Sequence, residues 1–203
     1  AQVASASNLR TTIVSSLDNY ARNIEINKFG GRFKYSKLNT LIDRVDNGIT
    51  SNITKVIVRR DLKALLNQFA QYELCYGNRF YINPAGYNIK STGFTINGFS
   101  QIAYITDVPN KTISGALDGS LKGTLSVITK NNQGQQVVLI KDAGIVDYKK
   151  GEVILNTINI TSTVSENNII EIQAFPESND VVGLKDLYLS FDVSNSTINT
   201  VKD

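Results

Sequence analysis

Thr124-Leu125-Ser126-Val127-Ile128-Thr129, Gln136-Val137-Val138-Leu139-Ile140-Lys141, Gly144-Ile145-Val146-Asp147-Tyr148 and Glu152-Val153-Ile154-Leu155 follow one another closely in the chain. Each run is short, β-branched and bounded by turn residues, the signature of strands. Asn131-Asn132-Gln133-Gly134 separates the first two runs. Lys149-Lys150-Gly151 separates the last two, with glycine where a three-residue hairpin loop needs a positive φ. The stretch therefore predicts an antiparallel meander.

The β pattern extends both ways. Ile158 to Thr161 and Ile169 to Phe175 flank a polar turn at Glu166 to Asn168. Asp186 to Val193 alternates Leu187, Leu189 and Phe191 against Tyr188 and Ser190 and predicts a last strand. Upstream, Gln101 to Val108 predicts a strand, and Gln71 to Tyr76 with Arg79 to Asn83 flank Gly77-Asn78, a two-residue hairpin signal. That hairpin places Leu74 with Tyr81 on one face and Cys75, Phe80 and Ile82 on the other.

The first fifty residues read differently. Leu9, Ile13, Val14, Leu17, Tyr20, Ala21 and Ile24 recur at spacings of three and four, one apolar helical stripe with Ser7 as its cap. Gly30-Gly31 ends that element and Arg32 to Tyr35 reads as extended. Leu38, Leu41, Ile42 and Val45 form a second stripe, capped by Ser36 and stopped at Asn47-Gly48 by a left-handed glycine. Thr54 to Arg60 predicts a strand. The expected fold class is α+β: an N-terminal helix-strand-helix-strand unit followed by β-rich antiparallel hairpins. The expected domains are residues 1-110, an α+β body, and 111-203, a β-rich subdomain whose last strand returns to the first sheet.

Composition narrows the chemistry. The chain of 203 residues has no histidine and one cysteine, Cys75. Histidine is the usual base near neutral pH and the commonest metal ligand. Serine–histidine triads, cysteine–histidine pairs and ordinary zinc sites are thus excluded. With 41% hydrophobic residues the chain has enough apolar surface for a core. Its net charge of +3 is too small and too dispersed for a nucleic-acid binder, and the nearest candidate, Arg59-Arg60, is too short to count. No apolar run approaches a membrane span of about 20 residues, and no signal segment opens the chain. The start at Ala1 and the absence of methionine read as a fragment or a processed product. Acceptor sequons at Asn52, Asn110, Asn159 and Asn195 read as chance in an Asn- and Thr-rich chain.

Remaining candidates are weak. Cys75 reads as a packed strand residue. The Gly115-to-Gly123 stretch is glycine-rich but lacks the Gly-Lys-Ser/Thr ending that cradles phosphates, and reads as a loop. Glycosidases need only two carboxylates, so Asp142, Asp147, Glu171, Glu177 and Asp180 are candidates. Yet the chain has no tryptophan for a sugar platform, and these acids read as solvated or turn-capping. Asp107 and Asp142 read as strand-end turn residues. Tyr72, Tyr76, Tyr81 and Tyr87 cluster with Arg79, residue types enriched at interface hot spots. They read as an amphipathic sheet surface or a subunit contact. Catalytic, cofactor-binding and metal residues are each expected to be none.

Several runs resemble one family. Phe33-Lys34-Tyr35-Ser36-Lys37-Leu38, Ile42-Asp43-Arg44-Val45-Asp46, Ile49-Thr50-Ser51-Asn52-Ile53-Thr54 and the strand ending Arg59-Arg60 are similar to the baseplate wedge subunit of T-even-type contractile-tailed bacteriophages. So are Asn88 to Phe94, Tyr104 to Pro109, Val146 to Glu152 and, most specifically, Ile172 to Tyr188. The opening elements also resemble the ring-forming region of the J-like baseplate family. The resemblance implies a carboxy-terminal portion of a longer, non-enzymatic structural subunit in the virion tail baseplate, assembled in the host cytoplasm. It implies self-association, as homodimer or ring contacts, and contact with other wedge and tail proteins. Copies would link neighbouring wedges into a ring around the hub that rearranges on sheath contraction. No nucleic acid, membrane, small-molecule substrate or cofactor is expected. The alternatives are a tail-associated carbohydrate-binding module or glycan hydrolase, and a secreted adhesin-like β module.

Overall fold

The computed structural model describes residues 5–22 and 26–201. Strand accounts for 39% of it and helix for 14%, so the fold is β-rich and the α+β expectation is overturned. The chain forms two compact units, one from Ala1–Lys55 with Asn179–Asp203 and one from Val56–Ser178.

The first unit holds both helices. α1 (Ala6–Ala21) buries Ile13 and Leu17, the centre of the predicted stripe. Its cap is Ser5, whose side chain accepts from the Asn8 amide, and Ser7 lies inside the helix. Ile24 falls outside the described residues. β1 (Lys28–Phe29) and β2 (Arg32–Phe33) are only two residues long. α2 (Tyr35–Asp43) begins after Lys34, and the Asp180 carboxylate accepts from the Tyr35 amide at 2.8 Å where Ser36 was expected to cap. It ends at Arg44, before Asn47-Gly48, and Gly48 does not take a positive φ.

The predicted helix-strand-helix-strand unit does not form because its strands find partners far away in sequence. β1 pairs antiparallel with the last strand, Tyr188–Leu189, and β2 with Val181–Val182. The expected strand at 54–60 starts at Val58 and belongs to the other unit. An aromatic cluster joins the early and late segments: Phe33 stacks on Phe191 at 5.9 Å, and Tyr20 meets both edge-on.

In chain order the second unit contains β3 (Val58–Lys63), β4 (Phe69–Cys75), β5 (Lys90–Ser91), β6 (Phe94–Ile96) and β7 (Ala103–Pro109). They are followed by β8 (Lys122–Lys130), β9 (Gln136–Asp147), β10 (Glu152–Thr163) and β11 (Ile169–Ala174). β12 and β13 are the late two-residue strands of the first unit, Val181–Val182 and Tyr188–Leu189.

The predicted meander is present as β8–β9–β10, with Asp147 opposite Glu152 across the Lys149-Lys150-Gly151 turn. Gly151 has φ +67°, and a β-carbon there would run into the Asn78 carbonyl. β7 pairs with β8 and with β6, and β6 pairs with β10. These pairings close β6 to β10 into a five-stranded barrel. Closure satisfies backbone groups that an open edge would leave bare. Alternate residues point inward: Phe94, Ile105, Leu125, Val127, Val146, Val153, Leu155 and Ile160 are all fully buried or nearly so. The core continues under β4, which pairs with β10, and under β3, β11 and β5, which extend the sheet from β7.

Two local expectations fail here. The Gly77-Asn78 hairpin is absent, because β4 pairs with β10 and residues 79–83 form no strand. Tyr76 and Phe80 instead donate their amides to Gly151 and Tyr148, so the β9–β10 turn replaces the local partner. Ile158 to Thr161 is the second half of the long β10, and β11 leaves the meander to pair with β3 and β5.

Candidate functional site

Asp107 sits inside β7, at 0% exposure, and does not close a turn at the strand's end. Its carboxylate accepts from the Tyr148 hydroxyl at 2.6 Å and from the Ile89 amide at 2.6 Å. Burial pushes its pKa up, while those two donors act against the shift. Burial and the neighbouring Asp107 charge push the Tyr148 phenol up, so it stays a donor. Asn88 does similar work beside it. Its side chain donates to the carbonyls of Tyr81 and Phe175 and accepts from the Phe175 amide. Together they fasten the loop before β5 to the barrel. Asn88 and Asp107 are buried, partnered groups, and buried polar networks of this kind specify one packing.

Four of the five candidate acids have partners for their carboxylates. Asp147 accepts from the Lys150 amide and stiffens the β9–β10 turn. Glu171 faces Arg59 at 3.7 Å, and Glu177 pairs with Arg79 at 2.9 Å. Asp180 holds the start of α2. Asp142 lies exposed within β9, and the Asn156 side chain donates to its carbonyl. The tyrosines divide as well. Tyr76 is buried and donates to the Ile172 carbonyl; burial pushes its phenol up. Tyr72 accepts from the Leu65 amide, whereas Tyr81 and Tyr87 are exposed.

A grouping that sequence spacing did not reveal lies on the outer face of β4 and β10. Glu73, Cys75 and Glu152 bring their ligand atoms within 4.8 Å of one another. Register creates it, since Glu152 pairs directly with Cys75, and Glu73 is two residues along the same face. Cys75 is half-buried and is not the core residue that was expected. Its thiol donates to Glu73 at 3.7 Å and Glu152 at 3.6 Å. Burial and the two carboxylates raise its pKa, so the thiol is a protonated donor near neutrality. Lys150 also reaches Glu152, at 3.9 Å. Glu73 and Glu152 share one sheet face and do not oppose each other across a cleft, as glycosidic acid and nucleophile do.

Two surface depressions hold about 20 and 60 Å³, one beside Leu117 and Lys122 and one beside Ile57 and Lys90. Small-molecule pockets run to about 300–1,000 Å³. Among the described residues no helix is long and apolar enough to cross a membrane. What the surface does offer is apolar area. Phe29, Val182 and Tyr188 are exposed in the first unit, and Phe69, Val138 and Ile145 in the second.

Comparison with known proteins gives one family. The description "Baseplate structural protein gp6, C-terminal domain III" matches residues 2–61. The matched segment takes in α1, β1, β2 and α2 and ends within β3, ahead of the barrel strands. No curated protein matches the chain. Over residues 2–61 the chain is similar to a structural domain of the phage baseplate, and this supports a structural part in the virion tail baseplate.

Proposed function

We propose that this chain is a self-associating structural segment of a tail baseplate, whose copies link neighbouring wedges into a ring around the hub. The ring rearranges when the sheath contracts. The segment has no catalytic duty, and its partners are copies of itself and other wedge and tail proteins, met during assembly in the host cytoplasm. The observation that carries this reading is the match of residues 2–61 to a baseplate structural domain.

Two further features support it. The buried acid–tyrosine pair and the turn-capping carboxylates serve the fold, as a part that transmits force requires. Exposed aromatic and branched residues, Phe29 at 64% and Phe69 at 71% among them, are the material from which subunit contacts are made. A ring needs either two different contact patches per copy or a two-fold contact alternating with another. Native mass spectrometry or light scattering of the full-length protein tests the reading. Discrete dimers or larger closed assemblies are expected. A monomer at high concentration, together with no binding to other wedge proteins, would overturn it.

A further inference from the structure

The chain contains two Asn-Gly pairs, Asn47-Gly48 and Asn97-Gly98, and the structure makes them chemically unequal. Both lie at exposed turns. In the first, the Gly48 amide donates to the Asp46 carboxylate at 2.7 Å, and the Ile49 amide closes the turn on the Asp46 carbonyl. The nitrogen is held, its proton is occupied, and a negative charge beside it opposes deprotonation.

In the second, Asn97 is anchored through its own amide to the Asn159 carbonyl of β10 at 3.0 Å. The Phe99 amide reaches the Ile96 carbonyl at 3.2 Å, and Gly98 has φ +86°, the glycine position of a type II turn. Among the described residues no hydrogen bond engages the Asn97 carboxamide or the Gly98 amide. Nothing lies within 4 Å of the place a Gly98 β-carbon would take, so no side chain or backbone from elsewhere in the chain crowds that side of the turn.

We propose that Asn97 is a site of spontaneous deamidation in the folded protein, and that Asn47 is protected. Asparagine is among the thermolabile residues. The Gly98 nitrogen gives its proton to water and bonds to Asn97 Cγ. The Cγ–Nδ2 bond breaks, and ammonia leaves with a proton returned from water. The resulting succinimide takes up one water and opens at either carbonyl, giving an aspartyl or an isoaspartyl linkage. Either product adds a negative charge beside the strand pair β6–β10. The isoaspartyl form also lengthens the backbone by one carbon where β6 leaves the barrel.

The test is ageing of the purified full chain at mildly alkaline pH, followed by peptide mapping and labelling with an isoaspartyl methyltransferase. The Asn97 peptide is expected to gain the mass of an amide-to-acid conversion several-fold faster than the Asn47 peptide. In denaturant the two rates should converge, and Asn97→Ser should remove most of the methyl label from aged folded protein. Equal rates at both sites in the folded chain, or conversion at Asn97 only after denaturation, would overturn the proposal.

Discussion

The unit of residues 56–178 and the unit of 1–55 with 179–203 are held together by different means. In the former, five strands close a barrel, and further strands lengthen its sheet. Its core is many side chains deep, with Phe94, Val127 and Ile160 at 0% exposure. In the latter, two helices and two strand pairs of two residues each share a small core of Ile13, Leu17, Ile26, Phe33, Leu38 and Val181. Backbone closure and burial dominate the one; aromatic packing and single polar clasps dominate the other. A small core leaves little margin, so each contact counts for more in the unit that has fewer.

That contrast breaks if the chain melts as a single unit. Calorimetry is expected to resolve two transitions, and Phe94→Ala should lower the barrel transition by about 3–5 kcal/mol while sparing the other. A single transition displaced as a whole would remove the distinction. Next in size is Tyr148→Phe, which leaves the buried Asp107 carboxylate short of a donor. It should cost the barrel about 1–3 kcal/mol in denaturant titrations.

Alkaline titration sharpens the same point. Tyr76 and Tyr148 have phenols held above the ordinary value, so the folded state keeps their protons longer than the unfolded chain does. Their contribution is complete below about pH 10. Above it, stability should fall by at most about 1.4 kcal/mol per pH unit for each phenol. Absorbance should show both phenols silent until the barrel opens. The smallest effect is expected in the other unit, where Asp180→Ala removes the acceptor at the start of α2. A loss of about 0.5–2 kcal/mol, confined to that unit's own transition, is the expected result.

Local signals were readable where the partner is also local. The α1 stripe, the β8–β9–β10 meander and the Gly151 turn depend on neighbours within a few residues, and periodicity exposes them. Signals failed where a distant partner won. Arg32-Phe33 looks like a strand of a local unit, but its ladder is supplied by Val181-Val182. Gly77-Asn78 carries a hairpin signal, but β10 captures β4. Barrel closure rests on the short contact of Phe94-Thr95-Ile96 with residues 160–163, which no period announces. The acid–thiol grouping was illegible for the same reason, since only the pairing of Glu152 with Cys75 brings it together.

The strand pairs β1–β13 and β2–β12 tie residues 28–33 to residues 181–189 and so make residues 34–180 a closed circuit of chain. Tension applied between the two outer arms runs across those short pairs and through the Phe33–Phe191 stack. The barrel lies off that load path. It bears no pull until the clasp gives way, and then roughly one hundred and fifty residues become available to extend, at about 3.3–3.6 Å each.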